Sequence, residues 1–298
     1  MMKDETHDTG ERQPGGGSMS MMYLLFEEKG ELPSANVLYA KIEERGYKFE
    51  IGRDGNDDSP TRHFHLFLPE YTVDFADKKG MPYQLLMIDF TEIEKPLGSE
   101  TDRTQFETPG GAELLDACKW QVFVSDFASS THPAQTRARI LSDWLEIALD
   151  LFPDCKAVWF DGSRNVMTAG ALRHNPYRGA NRIFHGAVNV RFFNIEGTKD
   201  MLVDTLGLQV FGIPDVQFHF HDLDPNRIVK FAGDIAMYQF ENDVPINDGE
   251  TVDGFYADDN PGKDIRWKCQ YEISLLEPER EVLDVNTGAN ASGNREKE

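Results

Sequence analysis

The sequence predicts an α+β protein with mainly antiparallel sheets, built as two βαββ-like halves followed by C-terminal helices and a hairpin. Short runs rich in β-branched and aromatic residues alternate with period two, apolar runs at helical spacing interrupt them, and Gly or Pro stands at most junctions. With 298 residues, 40% of them hydrophobic, the chain has ample apolar material for a core.

The elements follow in order. Residues 1–20 and 286–298 are polar, glycine-rich or charged and lack the apolar side chains that offset chain entropy, so both are expected as disordered tails. Between them lie an N-terminal α+β half at 21–115 and a C-terminal α+β region at 116–285. MMYLLFE reads as a strand, Pro33-Ser34 opens a helix through AKIEER, Gly46 ends it in a left-handed cap, and YKFEIGR is the next strand. HFHLFL, YTVDFA and YQLLMIDF read as three strands of a meander, divided at Pro69-Glu70 and at Lys79-Gly80. A similar order restarts with the strand WQVFVSDF. Thr131 and Pro133 then begin a helix in which Ile140, Leu141, Trp144, Leu145, Ala148 and Phe152 recur at helical spacing, and Pro153 stops it. KAVWFDGS and HGAVNVRFFNI supply further strands, so 21–115 and 116–196 read as a weak internal duplication. Thr198 is expected to cap a short helix through KDMLVDTL that ends at Gly207. In DVQFHFH, Val216, Phe218 and Phe220 share one strand face, while Gln217, His219 and His221 share the other. Asp224-Pro225 starts a helix with an apolar stripe of Ile228, Val229, Ala232, Ile235, Ala236 and Phe240, and TVDGFY with IRWKCQYEISLL forms a hairpin around ADDNPGKD.

Charge narrows the partner class. Lys plus Arg is 30 against Asp plus Glu 52, a formal net charge of -22, which disfavours nucleic acid and anionic membranes and favours a basic protein partner. The longest apolar run, MMYLLF, is too short to span a bilayer, and no basic segment precedes Met19. Cys118, Cys155 and Cys269 stand at wide, unrelated spacings, as buried small hydrophobes in a reducing compartment would; a cytoplasmic protein is expected. Dinucleotide, phosphate-loop and nucleophile-elbow signatures are lacking, and no cofactor is expected. The acidic run Asp243, Asp248, Glu250, Asp253, Asp258 and Asp259 misses the spacing of a calcium loop and reads as a solvated turn or an electrostatic docking surface.

Chemistry or recognition concentrates in residues 185–228, and the candidate binding residues are Asn189, Arg191, Asp204, Asp215, Gln217, His219, His221 and Asp222. Asn189 and Arg191 share a strand face, and Arg191 has Asp204 or Glu196 as an ion-pair partner. His219 and His221, at i and i+2, project the same way, and His63 and His65 repeat the arrangement. Were the two strands neighbours, four imidazoles would converge with Asp204, Asp215 or Asp222 in a metal-dependent hydrolase. The blander reading makes both pairs the solvent face of amphipathic strands.

The succession NVRFFNIEG, DTLGLQVFGIPDVQFHFHDLDPN and EPEREVLDV resembles the bacterial domain-of-unknown-function family numbered 4261, and WLEIALDLFPDCKAVWF is also similar to its members. The resemblance implies a bacterial intracellular protein without an assigned activity, and it suggests a setting among competition or toxin-associated genes. It carries over no catalytic residues. The expectation is a non-enzymatic binding or toxin-neutralising, immunity-like module for a basic protein, with a metal-dependent hydrolase using His219 and His221 as the alternative.

Overall fold

Two mostly antiparallel sheets form in this computed structural model, which describes residues 17–54, 62–75, 78–243, 245–255 and 265–293. The first sheet holds β1 (Met21–Phe26), β2 (Glu50–Asp54), β3 (His63–Phe75), β4 (Lys78–Glu92), β5 (Trp120–Phe127), β6 (Ala157–Phe160) and β7 (Asn165–Thr168), in the order β2-β3-β4-β5-β1-β6-β7. The second holds β8 (Asn189–Asn194), β9 (Met201–Leu206), β10 (Asp215–Phe220), β11 (Thr251–Asp253), β12 (Arg266–Ile273) and β13 (Glu281–Asn286), in the order β11-β12-β13-β10-β9-β8. Among these strands β10 and β13 pair in parallel. The helices are α1 (Ala35–Glu44), α2 (Glu100–Arg103), α3 (Gly111–Ala117), α4 (Ala134–Leu151), α5 (Ala169–Arg173), α6 (Ala180–Ala187) and α7 (Pro225–Asn242). The α+β class with mainly antiparallel sheets is therefore present. The strands from β1 to β7 share one sheet, with β1 between β5 and β6, while β8, expected in the second βαββ-like half, belongs to the other sheet, so the boundary between sheets falls between Thr168 and Asn189.

Several segments depart from the sequence expectation for physical reasons. HFHLFL and YTVDFA form one long strand, β3, because Pro69 falls where the register shifts against β4, beyond the stretch paired with β2, so its missing N–H removes no needed ladder bond. KDMLVDTL does not form a helix; Met201–Leu206 is strand β9, paired on both sides by β8 and β10. Tertiary pairing overrides the local pattern here, and Thr198 serves a turn in which its hydroxyl bonds the Ile195 carbonyl. Gly207 does end the segment, with a φ of 123° that suits glycine.

The tails dock further than expected. Residues 1–16 and 294–298 lie outside the described residues. Gly17 N–H donates to the Ser130 carbonyl at 2.7 Å, and Ser18 N–H to that of Gln209 at 2.9 Å. At the other end, β10 and β13 stay in parallel register to Gln217 and Asp284, after which the chain turns back along β10. There His221 N–H bonds the Asn290 carbonyl at 2.9 Å, Ser292 N–H bonds that of His219 at 3.0 Å, and Ala291 is buried opposite Phe220. Residues 286–293 are thus corrected from disordered tail to part of the fold: they satisfy backbone groups of β10 that β13 no longer reaches.

One continuous core joins both sheets, with α4 as its hub. Trp144, Leu141 and Ile140 of α4 lie in the same cluster as Val124 of β5, Phe184 of α6 and Phe240 of α7. Truncating so large a buried side chain as Trp144 typically costs about 3–5 kcal/mol. Helix α7 begins as the sequence indicates, with the Asp224 side chain accepting the Asn226 N–H and Pro225 at the first helical position. Its buried stripe of Ile228, Ala232, Ile235, Ala236 and Phe240 covers one face of the second sheet, leaving the opposite face for the polar residues described next.

Candidate functional site

Strand register assembles a polar row across the second sheet. Arg191 of β8 pairs with Asp204 of β9, Asp204 with Gln217 of β10, and Gln217 with Asp284 of β13, so alternation sends all four side chains to the face away from α7. Asn189 and Asp215 extend the same face toward one end. Arg191, Asp204, Asp215, Gln217 and Asp284 are all buried, the last four completely.

Arginines hold the acids. Arg191 grips Asp204 with both faces of a fork, Nε to Oδ1 at 2.9 Å and Nη2 to Oδ2 at 2.6 Å. Arg280, just before β13, reaches Asp204 Oδ2 with Nη2 at 2.8 Å and Asp215 Oδ2 with Nε at 2.9 Å. Its remaining hydrogens go to the carbonyls of Thr205, Leu276 and Pro278, so all of the guanidinium's donating capacity is used. Asp215 Oδ1 also accepts from the Thr205 hydroxyl and from Leu208 N–H, each at 3.1 Å. Burial pushes the Asp215 carboxyl up; Arg280 and the Leu208 N–H pull it down, the Asp204 charge pushes it up again, and the outcome stays above the ordinary value.

The network is roofed by a strap, residues 274–280, that joins β12 to β13. Leu275 N–H donates to Gln217 Oε1 at 2.8 Å, and Arg191 Nη1 donates to the Glu277 carbonyl at 3.2 Å. Ser274 closes the loop: its N–H bonds the Arg280 carbonyl at 2.8 Å, and its hydroxyl bonds the Leu276 and Pro278 carbonyls. Burying paired charges yields little net stability over an apolar core of equal volume, so what this arrangement achieves is a single loop geometry. On its outer surface the strap region shows Ile273 at 60% exposure and Leu275 at 52%, with Glu277 and Glu279 exposed between them and β13.

The nominated residues therefore divide. Asn189, Arg191, Asp204, Asp215 and Gln217 come together beneath the strap, as interior scaffold and not as an open polar surface. The expected Arg191–Asp204 ion pair is present. Both amide atoms of Asn189 are buried without a hydrogen-bond partner. His219 lies further along the same face, its Nε2 3.7 Å from Asp200 Oδ2. His221 and Asp222 pair at 2.9 Å beyond the end of β10, outside the network. Sequence reasoning missed Arg280 and Asp284. A lone acid inside an apolar strand run, as in EVLDVN or MLVDTL, was the available signal, because such an acid is buried only with a cationic or hydrogen-bonding partner.

The imidazole convergence proposed from H-x-H spacing is not formed. His63 and His65 sit on β3 in the first sheet, where His65 Nε2 lies 2.8 Å from Gln84 Oε1, whereas His219 and His221 belong to the second. Among the described residues no group of three or more His, Cys, Asp or Glu side chains is placed to hold a metal ion. All three thiols are buried and free; burial pushes Cys118 up to about 11 and Cys155 and Cys269 up to about 12. Of the acidic run, Asp243 accepts the N–H of Ala134 at the start of α4, Asp248 the Tyr271 N–H and Glu250 the Asn247 N–H, while Asp258 and Asp259 lie outside the described residues.

A segment beginning at Asp204 and ending with β13 is what the comparison with known families picks out. Residues 204–286 match a domain of unknown function, DUF4261. The DUF4261 match covers less than half of the chain, yet it holds Asp204, Asp215, Gln217, the whole strap, Arg280 and Asp284, with Arg191 contributed from outside it. No curated protein and no solved structure matches the chain. No helix among the described residues is long and apolar enough to cross a membrane.

Proposed function

We propose that this chain is a non-enzymatic binding module that recognises, and neutralises in an immunity-like manner, a basic protein partner through the strap. The observation carrying the reading is that two buried arginines and the acids around them converge on the backbone of one surface loop, which together with the end of β12 displays Ile273 and Leu275 beside Glu277 and Glu279. Single exposed apolar residues are ordinary, but a pair on a pinned loop has the character of a binding anchor, because the ordering cost is met before the partner arrives. The glutamates and the net charge of -22 complement a cationic surface and raise the encounter rate.

Retention of a basic partner from lysate by wild type and by the Ile273→Glu/Leu275→Glu variant tests the reading. Wild type retains a basic protein at low salt and releases it as salt rises, since exposed charges are screened over about 8 Å at physiological ionic strength. The variant folds normally and loses retention. Partners that are neutral or acidic, or a retention that ignores both salt and the strap substitutions, would sink the proposal.

A further inference from the structure

β11 closes one end of the second sheet, and its hydrogen-bond pattern leaves half of its backbone facing outward. Glu250 accepts the Cys269 N–H and Gly254 donates to the Ile265 carbonyl, with Val252 opposite Trp267 in between. In an antiparallel ladder these alternate residues face the partner strand, so the N–H and C=O groups of Thr251 and Asp253 point away from β12. The opposite edge of the sheet is treated differently: on β8 the outward Phe192 N–H is taken up by the Gln105 side chain at 2.9 Å. Beside β11 runs an open groove of about 740 Å³ between the strand and α7, floored by Phe231, Ile235, Ile246 and Val252. Tyr238, 58% exposed, stands at its wall. Asp234, Glu250 and Asp253 line it, with Arg266 as the one cation among the described lining residues.

We infer that this groove takes an extended segment of a basic protein partner, added to the sheet as a further strand next to β11. Backbone bonds to Thr251 and Asp253 would supply sequence-independent affinity, and every second side chain of the segment would drop onto the apolar floor. The intervening side chains would point to the opposite face, where Asp253 selects lysine or arginine, while Asp234 and Glu250 add negative charge around the apolar floor. The ion pairs Asp253–Arg266 and Asp234–Lys230 lie at the surface, where such pairs contribute little and exchange readily with an incoming cation. The inference rests on the reading of the chain as a binding module but on a different surface from the strap, so the two can fail separately.

The probe is a synthetic hexapeptide alternating lysine and valine, blocked at both ends, titrated into the full chain while amide exchange is followed by NMR. Saturable binding is expected to slow exchange of the Thr251 and Asp253 amides about tenfold or more while leaving Val252 unchanged. Thr251→Pro removes an N–H that β12 does not use; it should weaken the peptide about tenfold at unchanged melting temperature. Should that variant fold poorly, the same loss is read on wild type with a peptide N-methylated at alternate amides. The Ile273→Glu/Leu275→Glu variant should bind the peptide normally. Failure of the lysine–valine peptide to bind, binding that protects neither amide, equal binding of an aspartate–valine peptide, or indifference to N-methylation would each overturn the proposal.

Discussion

Asp126 and Asp215 are both completely buried beside an arginine, yet their carboxyls shift in opposite directions. Asp126, on β5, is alone with Arg137 of α4, which forks onto it with Nε to Oδ2 at 2.7 Å and Nη2 to Oδ1 at 2.8 Å. Tyr83 OH adds a bond at 2.6 Å and Ser20 N–H another at 3.2 Å. Burial pushes the Asp126 carboxyl up, but Arg137 and these hydrogen bonds outweigh it and hold the group below the usual range. Asp215 must share Arg280 with Asp204, whose charge opposes its ionisation. An undivided guanidinium closes a knot, whereas a divided one leaves a carboxylate short of positive charge. The knots also differ in what they fasten: Arg137 reaches the Val210 carbonyl and so ties the two sheets together, while Arg280 ties down a surface loop.

The largest expected effect comes from cutting both knots. Arg137→Met and Arg280→Met should each lose about 3–5 kcal/mol in urea unfolding, with Arg137→Met the greater loss: Asp126 loses its cation while its environment favours the charged form, whereas without Arg280 Arg191 still holds Asp204 and Asp215, already shifted up, is stranded alone. Losses below about 1 kcal/mol in both would mean that neither knot matters to stability. The acid limb separates them next. Asp126, with its lowered value, contributes stability that is present above the unfolded carboxyl value of about 3.9 and is lost as pH falls through the folded one. Asp215, with its raised value, contributes stability that is full below about 3.9 and is lost as pH rises through the folded value. Unfolding midpoints measured from about pH 2 to pH 7 should therefore show Asp126→Asn flattening the acid side and Asp215→Asn flattening the decline above about pH 4. Identical profiles would remove the contrast.

A smaller effect sharpens the contrast within the strap. Gln217→Leu deletes the acceptor for Leu275 N–H and should cost about 1 kcal/mol while markedly speeding exchange of that amide, with the amides around Asp126 unmoved. Smallest of all, His221→Ala breaks only the surface pair with Asp222 and should change stability by less than about 0.5 kcal/mol. A larger loss would bring His221 into the network from which its position separates it.

Much of this architecture is readable from local pattern. Pro133 and Pro153 bracket α4, Asp224-Pro225 opens α7, and alternation in DVQFHF assigns the faces of β10, because caps and periodicity are short-range physics. What escaped is long-range. Nothing near Met201 announces that β8 and β10 will flank it, so a segment with helix-compatible spacing became a strand. The candidate site followed the same rule: the residues under the strap were nominated, but their burial depends on Arg280, 65 positions from Asp215 in the chain. Neighbouring polar residues in sequence read as a surface until the arginine that covers them is known.

The position of β1 carries a consequence for how the chain reaches this state. Its apolar run MMYLLF lies between β5, which begins at Trp120, and β6, which begins at Ala157, and pairs with both. The meander of β2, β3 and β4 can form from near neighbours, but the slot for β1 exists only once those distant strands are available. Such contacts of high sequence separation slow folding, because the loop-closure entropy comes before the pairing that offsets it. During synthesis on a ribosome MMYLLF would wait with both edges unpaired while more than a hundred residues are added, the stage at which an early-binding chaperone has most to offer this chain.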